Sequence, residues 1–263
     1  MAPTDVFRAL HTDGTFLLPN PWDVGSARYL EWRGASALAT TSSGFAATLG
    51  RLDGQTSRDE LVTHVAAITD AVTIPVTVDS ERCYSNDLAG IATTVRLLAE
   101  AGAAGCSIED YDPATGAIDE LPLATWRLAA AAAEAAEHGL VLTARTERHL
   151  YGGTDLETTI ERLTAFRDAG ADALYAPGLA DLDMIEQLVT ALGAPVNVLA
   201  RPNGPSVPQL ASAGVRRVST GGALAWAALG GLQRAVDELL DTGTTEFMGQ
   251  SLPGRDRNAA LGS

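Results

Sequence analysis

Short apolar runs alternate with helical patterns eight times along this chain of 263 residues. Brief apolar runs favour buried strands, and apolar residues spaced three or four apart favour amphipathic helices. At four points a Gly stands between a helix and the next strand, where it can adopt the left-handed conformation that ends a helix. These glycines are Gly34, Gly102, Gly170 and Gly214. Eight such repeats predict an α/β fold of the (β/α)8, or TIM, barrel class.

The eight predicted strands cover residues 16–18, 35–40, 75–78, 105–108, 140–144, 173–176, 195–199 and 217–219. The predicted helices include residues 57–71, 87–101, 122–137, 156–169, 182–192 and 223–240. Ser57 to Glu60 and Thr154 to Glu157 have the spacing of capping boxes. Because no linker divides the chain, we expect residues 1–263 to form one domain, in which residues 242–263 are a C-terminal tail that frays beyond Leu252.

Composition excludes several classes of function. The formal charge of −15 argues against a nucleic-acid partner, which needs a basic surface. No apolar run is long enough to span a membrane. All 18 basic residues are Arg, which excludes Schiff-base chemistry and a phosphate-binding Lys. Two separated cysteines, Cys83 and Cys106, and an N-terminus without signal-peptide features predict a cytoplasmic protein.

Three of the predicted strands end in acidic residues or in arginine. Asp79 and Glu81 follow the third strand, Glu109 ends the fourth, and Arg145 ends the fifth. The carboxyl ends of barrel strands form the active face of this fold class, and buried carboxylates are costly without a nearby cation. The simplest explanation is a divalent metal with oxygen ligands and an anionic substrate that reaches Arg145.

Each of these residues also has a structural interpretation. Asp79 could cap the segment that follows it, and Arg145 could simply pair with the acids. Glu81 lies on the same face as Asp79 by strand alternation, so it could support a metal or form a surface ion pair. Ser43 and Gly44 could belong to an ordinary turn or to a nest of backbone N–H groups that binds an anion.

Taken together, the strand-end motifs resemble the isocitrate lyase/phosphoenolpyruvate mutase superfamily. The motifs are Asn20-Pro-Trp-Asp23, Thr41-Ser-Ser-Gly44, Val78-Asp-Ser-Glu81, Ile108-Glu-Asp110, Ala144-Arg-Thr-Glu147, Ala169-Gly-Ala-Asp-Ala173, Pro195-Val-Asn197 and Gly214-Val-Arg-Arg-Val-Ser219. The resemblance implies a barrel whose last helix is exchanged between the subunits of a homodimer or homotetramer. It also implies Mg²⁺, or alternatively Mn²⁺, and a small carboxylate substrate that passes through an enolate-like intermediate.

The resemblance assigns roles to the residues at matching positions. Asp79 matches the direct metal ligand, and Glu81 and Glu109 match acids that hold the metal through water. Asp53 matches a further acid near the metal, and Arg145 matches the arginine that binds the substrate carboxylate. With Glu109, these two residues are the predicted catalytic groups.

A second set of matching positions is assigned to substrate binding. Ser43, Gly44 and Phe45 match the backbone segment that holds the substrate, and Asn197 is a further predicted substrate contact.

The chain departs from the family pattern after the fourth strand. Residues 111–120, which would carry the reaction-specific groups, contain no Lys, Cys, His or Asn. The metal and carboxylate positions remain, so we predict a carbon–carbon lyase or decarboxylase of a small 2-oxo or 2-hydroxy (di)carboxylate. The alternatives are a phosphonopyruvate-type mutase or hydrolase, and a relative that binds a 2-oxo acid without turnover.

Overall fold

The computed structural model describes residues 1–262. Its strands are β1 (Phe16–Leu18), β2 (Leu38–Ala39), β3 (Val76–Val78), β4 (Gly105–Glu109), β5 (Tyr111–Asp112), β6 (Ala117–Ile118), β7 (Val141–Arg145), β8 (Ala173–Tyr175), β9 (Val196–Leu199) and β10 (Arg217–Ser219). Its helices are α1 (Pro3–Leu10), α2 (Val24–Trp32), α3 (Ser42–Thr48), α4 (Arg58–Thr69), α5 (Leu88–Glu100), α6 (Leu121–Glu137), α7 (Leu156–Asp168), α8 (Leu182–Leu192), α9 (Val207–Ser212), α10 (Ala223–Asp241) and α11 (Gly254–Leu261). Two short 3₁₀ helices cover Arg148–Leu150 and Glu246–Gln250.

Eight parallel strands form one sheet in the order β1-β10-β9-β8-β7-β4-β3-β2. A backbone hydrogen bond of 3.1 Å from Ala39 N–H to the Pro19 carbonyl joins the two ends of this sheet. The helices between the strands place their apolar faces against the outside of the sheet, as Leu61, Val65 and Ile91 illustrate. This arrangement is the predicted (β/α)8 barrel, and each predicted strand overlaps an observed one.

The helix ends were predicted from glycines and capping boxes, and all but one of these predictions are confirmed. Gly34, Gly102, Gly170 and Gly214 have φ values of 90°, 86°, 110° and 81°, as expected for glycines that end helices. Ser57 and Glu60 form the predicted capping box at the start of α4.

The second predicted capping box is wrong. Asp155 is the N-cap of α7, and its carboxylate accepts hydrogen bonds from the N–H groups of Glu157 and Thr158. A carboxylate at the N-cap itself replaces the reciprocal contact that Thr154 would have made.

The segment after β4 forms a short antiparallel hairpin, β5–β6, which is not among the predicted elements. Its base is held by a cluster that we call the arginine clamp, made of Arg82, Arg127, Arg162, Asp110, Asp112 and Asp119. Within the clamp, Arg82 contacts Asp119 at 2.6 Å and Arg162 contacts Asp110 at 3.0 Å. Three guanidinium groups thus face three carboxylates, and the hairpin is fixed to the barrel.

The C-terminal end was predicted to fray beyond Leu252, but it forms helix α11. Helix α11 packs against α2, and its Ala260 is 4% exposed. Helix α10, by contrast, buries only Ala225 and exposes several large apolar side chains. These are Trp226, Leu229, Leu232, Val236, Leu239 and Leu240. Among residues 1–262, no helix is both long and apolar enough to cross a membrane.

Candidate active site

A cavity of about 280 Å³ opens at the carboxyl ends of the barrel strands. Its mouth is lined by Ser42, Ser43, Asp53, Asp79 and Arg145. Below the mouth the cavity continues into the barrel, where polar side chains replace the aliphatic residues that usually fill such a core. The deeper lining includes Thr77, Ser107, Thr143, Asn197, Arg217 and Ser219.

Arg145 lies at the centre of the mouth and contacts three carboxylates. Its guanidinium is 2.5 Å from Asp79 Oδ1, 3.3 Å from Glu109 Oε2 and 2.9 Å from Glu147 Oε1. The guanidinium carbon also lies 5.4 Å from the centre of the Tyr175 ring. Although burial lowers the pKa of Arg145, the neighbouring carboxylates, Glu147 foremost, hold it well above its usual value. The group therefore stays cationic.

Asp79 is positioned by the two neighbouring loops. Strand β3 ends at Val78, and the Asp79 N–H donates to Thr40 Oγ1 at 3.0 Å. The second carboxylate oxygen, Oδ2, accepts a hydrogen bond of 3.1 Å from Ser42 N–H. One oxygen thus faces Arg145 and the other faces the start of α3.

Glu81 is near Asp79, but for a different reason from the one predicted. It lies beyond the end of β3 in a turn with φ of 47°, so strand alternation does not apply. Tyr84 O–H donates to Glu81 Oε1 at 2.9 Å. Burial, followed by repulsion from Asp79, raises the pKa of the Glu81 carboxyl to about 7. Cys83 and Tyr84 also have positive φ, which costs about 1–2 kcal/mol for each residue with a side chain.

The segment that contains Ser43, Gly44 and Phe45 forms the first turns of α3. Ser43 lines the cavity, whereas Gly44 and Phe45 are buried behind it. The N–H of Gly44 donates to Thr41 Oγ1 at 3.4 Å. A Cβ atom at Gly44 would lie 2.7 Å from Thr41 Cγ2 and 2.9 Å from Trp22 Cβ, so close packing requires glycine here. The Phe45 ring stacks on His64 at 3.9 Å.

Asn197 lines the deeper part of the cavity, and both the nitrogen and the oxygen of its amide form a hydrogen bond there. Its Nδ2 donates to Ser219 Oγ at 2.9 Å, and its Oδ1 accepts from Arg217 Nε at 3.1 Å.

Four further residues line the cavity without a role predicted from the sequence: Asn20, Tyr175, Arg217 and Ser219. For Arg217 a signal was available: Arg216 and Arg217 are adjacent, so alternation must turn one of them into the barrel.

A family model described as phosphoenolpyruvate phosphomutase matches residues 7–240 of this chain. The chain belongs to this family. The match covers the whole barrel and α10 to within one residue of its end, and it confirms the superfamily predicted from the strand-end motifs.

Three similar proteins illustrate the range of the family. A crystal structure of a protein from Burkholderia cenocepacia J2315, described as a lyase/mutase, has a TM-score of 0.95 and 46% identity, and the match covers 99% of this chain and 96% of that one. An uncharacterized protein of Mycobacterium tuberculosis is 35% identical over 82% of this chain and 81% of its own length. Oxaloacetate decarboxylase 2 of Pseudomonas fluorescens is 30% identical over 74% of this chain and 68% of its own length.

The charges around Arg145 fit the divalent metal that enzymes of this superfamily use. One guanidinium faces Asp79, Glu109 and Glu147, and with Glu81 the formal charge of the group is −3. Burial, opposed by Arg145 and assisted by repulsion from Glu147, raises the pKa of Glu109 well above its usual value. A bound dication would relieve this repulsion, and its preferred ligands are carboxylate oxygens.

The carboxylates do not form a closed metal cage. In the described part of the chain, no three acidic, histidine or cysteine side chains converge on one point as metal ligands would. Such spacing suits a metal with one direct ligand and several water-mediated contacts, which is the arrangement that the family resemblance implies for Asp79, Glu81 and Glu109. Asp53 lies at the same mouth. Burial raises the pKa of the Asp53 carboxyl, a hydrogen bond from Ser42 opposes this rise, and repulsion from Asp79 adds to it.

Proposed function

We propose that this protein is a Mg²⁺-dependent carbon–carbon lyase or decarboxylase that acts in the cytoplasm on a small 2-oxo or 2-hydroxy (di)carboxylate. The observation that carries the proposal is the cluster at the cavity mouth, where a single guanidinium contacts three carboxylates and a fourth, that of Glu81, lies near Asp79. Such a cluster can hold a dication, and the bound dication together with Arg145 can hold an anionic substrate.

The residues of the mouth have distinct tasks in this proposal. Asp79 would hold Mg²⁺ directly, and Glu81, Glu109 and Asp53 would hold its water ligands. When bound, Mg²⁺ supplies Lewis acidity that polarises a 2-oxo group and favours negative charge on it. Arg145 offers a planar fork that matches one carboxylate of the substrate.

The hairpin β5–β6 favours decarboxylation as the reaction. Within residues 1–262, none of the hairpin residues lines the cavity, and the arginine clamp fixes the base of the hairpin. In decarboxylation, the C3–C4 bond breaks, CO₂ leaves, and the electron pair remains as a C2–C3 enolate that water can protonate at C3. This reaction needs an electron sink and no acidic side chain from the hairpin.

The direct test is a pyruvate-release assay with oxaloacetate, together with mass spectrometry of a panel of 2-oxo and 2-hydroxy acids. Because Mg²⁺ alone slowly decarboxylates oxaloacetate, the reference is the same Mg²⁺ concentration with the Asp79→Ala protein. We expect turnover above that background, and no turnover in excess chelator. Unchanged substrates throughout the panel would refute the proposal.

The name of the matching family keeps the phosphonate alternative open to a direct test. Phosphorus NMR of phosphonopyruvate with the protein and Mg²⁺ tests this alternative. A new phosphorus signal would show that the protein acts on phosphonates and would count against the proposed lyase. Tight binding of 2-oxo acids without any turnover would instead indicate a binding relative.

We further infer that the protein is a homodimer or homotetramer in which α10 is exchanged between subunits. The exposed apolar side chains of α10 support this, because contiguous apolar surface of this kind marks an interaction site. Helix α10 also begins beside the cavity: a Cβ atom at Gly222 would lie 2.5 Å from Ser43 Oγ. Light scattering should show an oligomer, and Leu232→Glu should give monomers. A wild-type monomer would contradict this inference.

A further inference from the structure

Arg217 is a buried cation in the floor of the cavity. It is 4% exposed and lines the cavity below the Arg145 level. Its Nη2 donates to Thr143 Oγ1 at 2.7 Å, and Thr143 precedes Arg145 by two residues on β7. Two residues of a strand span about 7 Å, so the two guanidinium groups act at different depths of one cavity.

The partners of Arg217 are all neutral. Besides Thr143, its Nε donates to Asn197 Oδ1 at 3.1 Å, and its Nη1 lies 3.2 Å from His11 Nε2. His11 Nδ1 lies 2.8 Å from the Phe7 carbonyl, which can only accept, so the proton is on Nδ1 and Nε2 accepts from Arg217. Among residues 1–262, these three bonds leave two of the five guanidinium N–H groups without a protein acceptor.

An unpaired buried charge is costly, and the pKa of Arg217 reflects this cost. Burial lowers the pKa of Arg217 to about 10, and among the described residues only Tyr175 acts in the opposite direction. Tyr175 cannot balance the charge, because burial raises the pKa of its hydroxyl to about 12 and keeps it neutral. A cation that is desolvated, still charged and supplied with spare donors is a binding site for an anion.

We infer that Arg217 is a second anion subsite, which binds the distal carboxylate of a short dicarboxylate substrate. The inference rests on the proposed function and deepens it: the first carboxylate lies at the mouth near Arg145, and the second reaches the floor. Thr143 and Asn197 hold the guanidinium in place. When decarboxylation removes the distal group as neutral CO₂, the product loses this contact and its release is favoured.

The test compares binding of matched non-decarboxylating ligands in the presence of Mg²⁺ by titration calorimetry. One pair is L-malate and 2-hydroxybutyrate, and the other is 2-oxoglutarate and 2-oxopentanoate; within each pair only the distal carboxylate differs. We expect wild type to bind the dicarboxylate of at least one pair tenfold or more tightly, about the effect of one charge-assisted hydrogen bond. Arg217→Met should abolish this preference.

Arg216→Gln is the matched control, because Arg216 immediately precedes β10, faces outward and donates to the Gly14 carbonyl. It should keep the preference. If Arg217→Met does not fold, Arg217→Gln replaces it in this test, because the glutamine amide can still donate a hydrogen bond to Thr143. Equal affinities in wild type, or a preference that survives loss of Arg217, would overturn the subsite and leave Arg217 as a structural link to α1.

The outcome is separable from that of the proposed function. Dicarboxylate preference without turnover on any substrate would support the subsite and refute the proposed enzyme. Turnover without preference would do the reverse. In steady-state kinetics, loss of Arg217 should raise KM for the dicarboxylate with little change in kcat, since the contact is made both in the bound substrate and in the transition state, before CO₂ has left.

Discussion

The two arginines of the cavity have opposite surroundings. Arg145 faces three carboxylates at the mouth, whereas Arg217 faces a threonine, an asparagine and a histidine at the floor. The mouth therefore carries excess negative charge and the floor carries one uncompensated positive charge. In a buried site, either imbalance is costly until an ion of opposite sign binds. The difference is the basis for the proposed cation at the mouth and the proposed carboxylate at the floor.

The arginine clamp beside the hairpin is a third case, in which the charges balance. Arg82 and Arg127 both approach Asp119, and Arg162 pairs with Asp110. Because three cations meet three anions, no further ion is needed. We therefore expect the clamp to affect stability alone, and the two unbalanced clusters to affect ligand binding.

The largest expected effect is that of Asp79→Ala on activity. Removal of the carboxylate that faces both Arg145 and the start of α3 should lower kcat/KM at least about 10³-fold, because a bound metal supplies several kcal/mol of transition-state stabilisation. Added Mg²⁺ should also no longer raise the melting temperature. Glu120→Gln, at an exposed position after the hairpin, is the control and should behave as wild type. Mg²⁺-dependent turnover by the Asp79→Ala protein would contradict the assignment of the mouth as a metal site.

Arg145→Gln and Arg217→Gln should lower the free energy of unfolding of the protein by different amounts. Without Mg²⁺, Arg145→Gln should lose about 3–5 kcal/mol of unfolding free energy at neutral pH, because it leaves three carboxylates without a counter-charge. Mg²⁺ should restore part of that loss. Arg217→Gln should change stability by less than about 2 kcal/mol, since the desolvation cost disappears with the charge and offsets the lost hydrogen bonds. Urea unfolding with and without Mg²⁺ measures both, and equal losses would mean that the two surroundings are equivalent.

The arginine clamp should respond in stability only. Asp119→Asn removes a carboxylate whose side chain is 6% exposed and 2.6 Å from Arg82, and it should cost about 3 kcal/mol. Asp112→Asn is the matched control, because Asp112 is 18% exposed and 3.7 Å from Arg82, and it should cost less than about 1 kcal/mol. A change in the Mg²⁺ requirement of Asp119→Asn would show that the clamp is coupled to the mouth.

The sequence predicted the parts of the molecule that obey local rules. Helix-ending glycines and short apolar runs predicted the barrel. Because Asp79 and Arg145 each follow a predicted strand, the sequence also predicted that they lie close together. Glu81 came near Asp79 through a left-handed turn, which strand alternation does not describe. Helix α11 is stabilised by packing on α2, and its sequence has little apolar periodicity, so its order was not foreseen.

The hairpin and the floor of the cavity were missed for different reasons. Asp112-Pro-Ala-Thr-Gly116 is a turn sequence with Gly116 at φ of 68°, and this signal was available for the hairpin. Arg217 faces the inside of the barrel, where side chains normally pack to fill the core. Only three-dimensional contacts show that its partners are neutral, and no local pattern in a sequence reports the missing counter-charge.

The smallest expected effect concerns pH and the floor of the cavity. Burial, and then the charge of Arg217, lower the pKa of His11 to about 3 from its ordinary 6.5. The unfolded chain therefore binds one more proton than the folded one between these values, so stability is present above pH 6.5 and is lost as pH falls toward 3. The slope from this residue is at most about 1.4 kcal/mol per pH unit, reduced because the ring is partly exposed.

His11→Gln should flatten the acid side of the stability curve, and Arg217→Met should flatten it less, because burial of the ring remains when the charge is removed. Urea unfolding at pH 7, 5 and 4 measures the difference, with His138→Gln as control, since His138 lies at the end of α6 and its ring contacts Glu134, far from Arg217 in the sequence. If Arg217→Met leaves the slope unchanged, the guanidinium does not act on His11 as a charge. The floor would then lack the uncompensated positive charge that distinguishes it from the mouth.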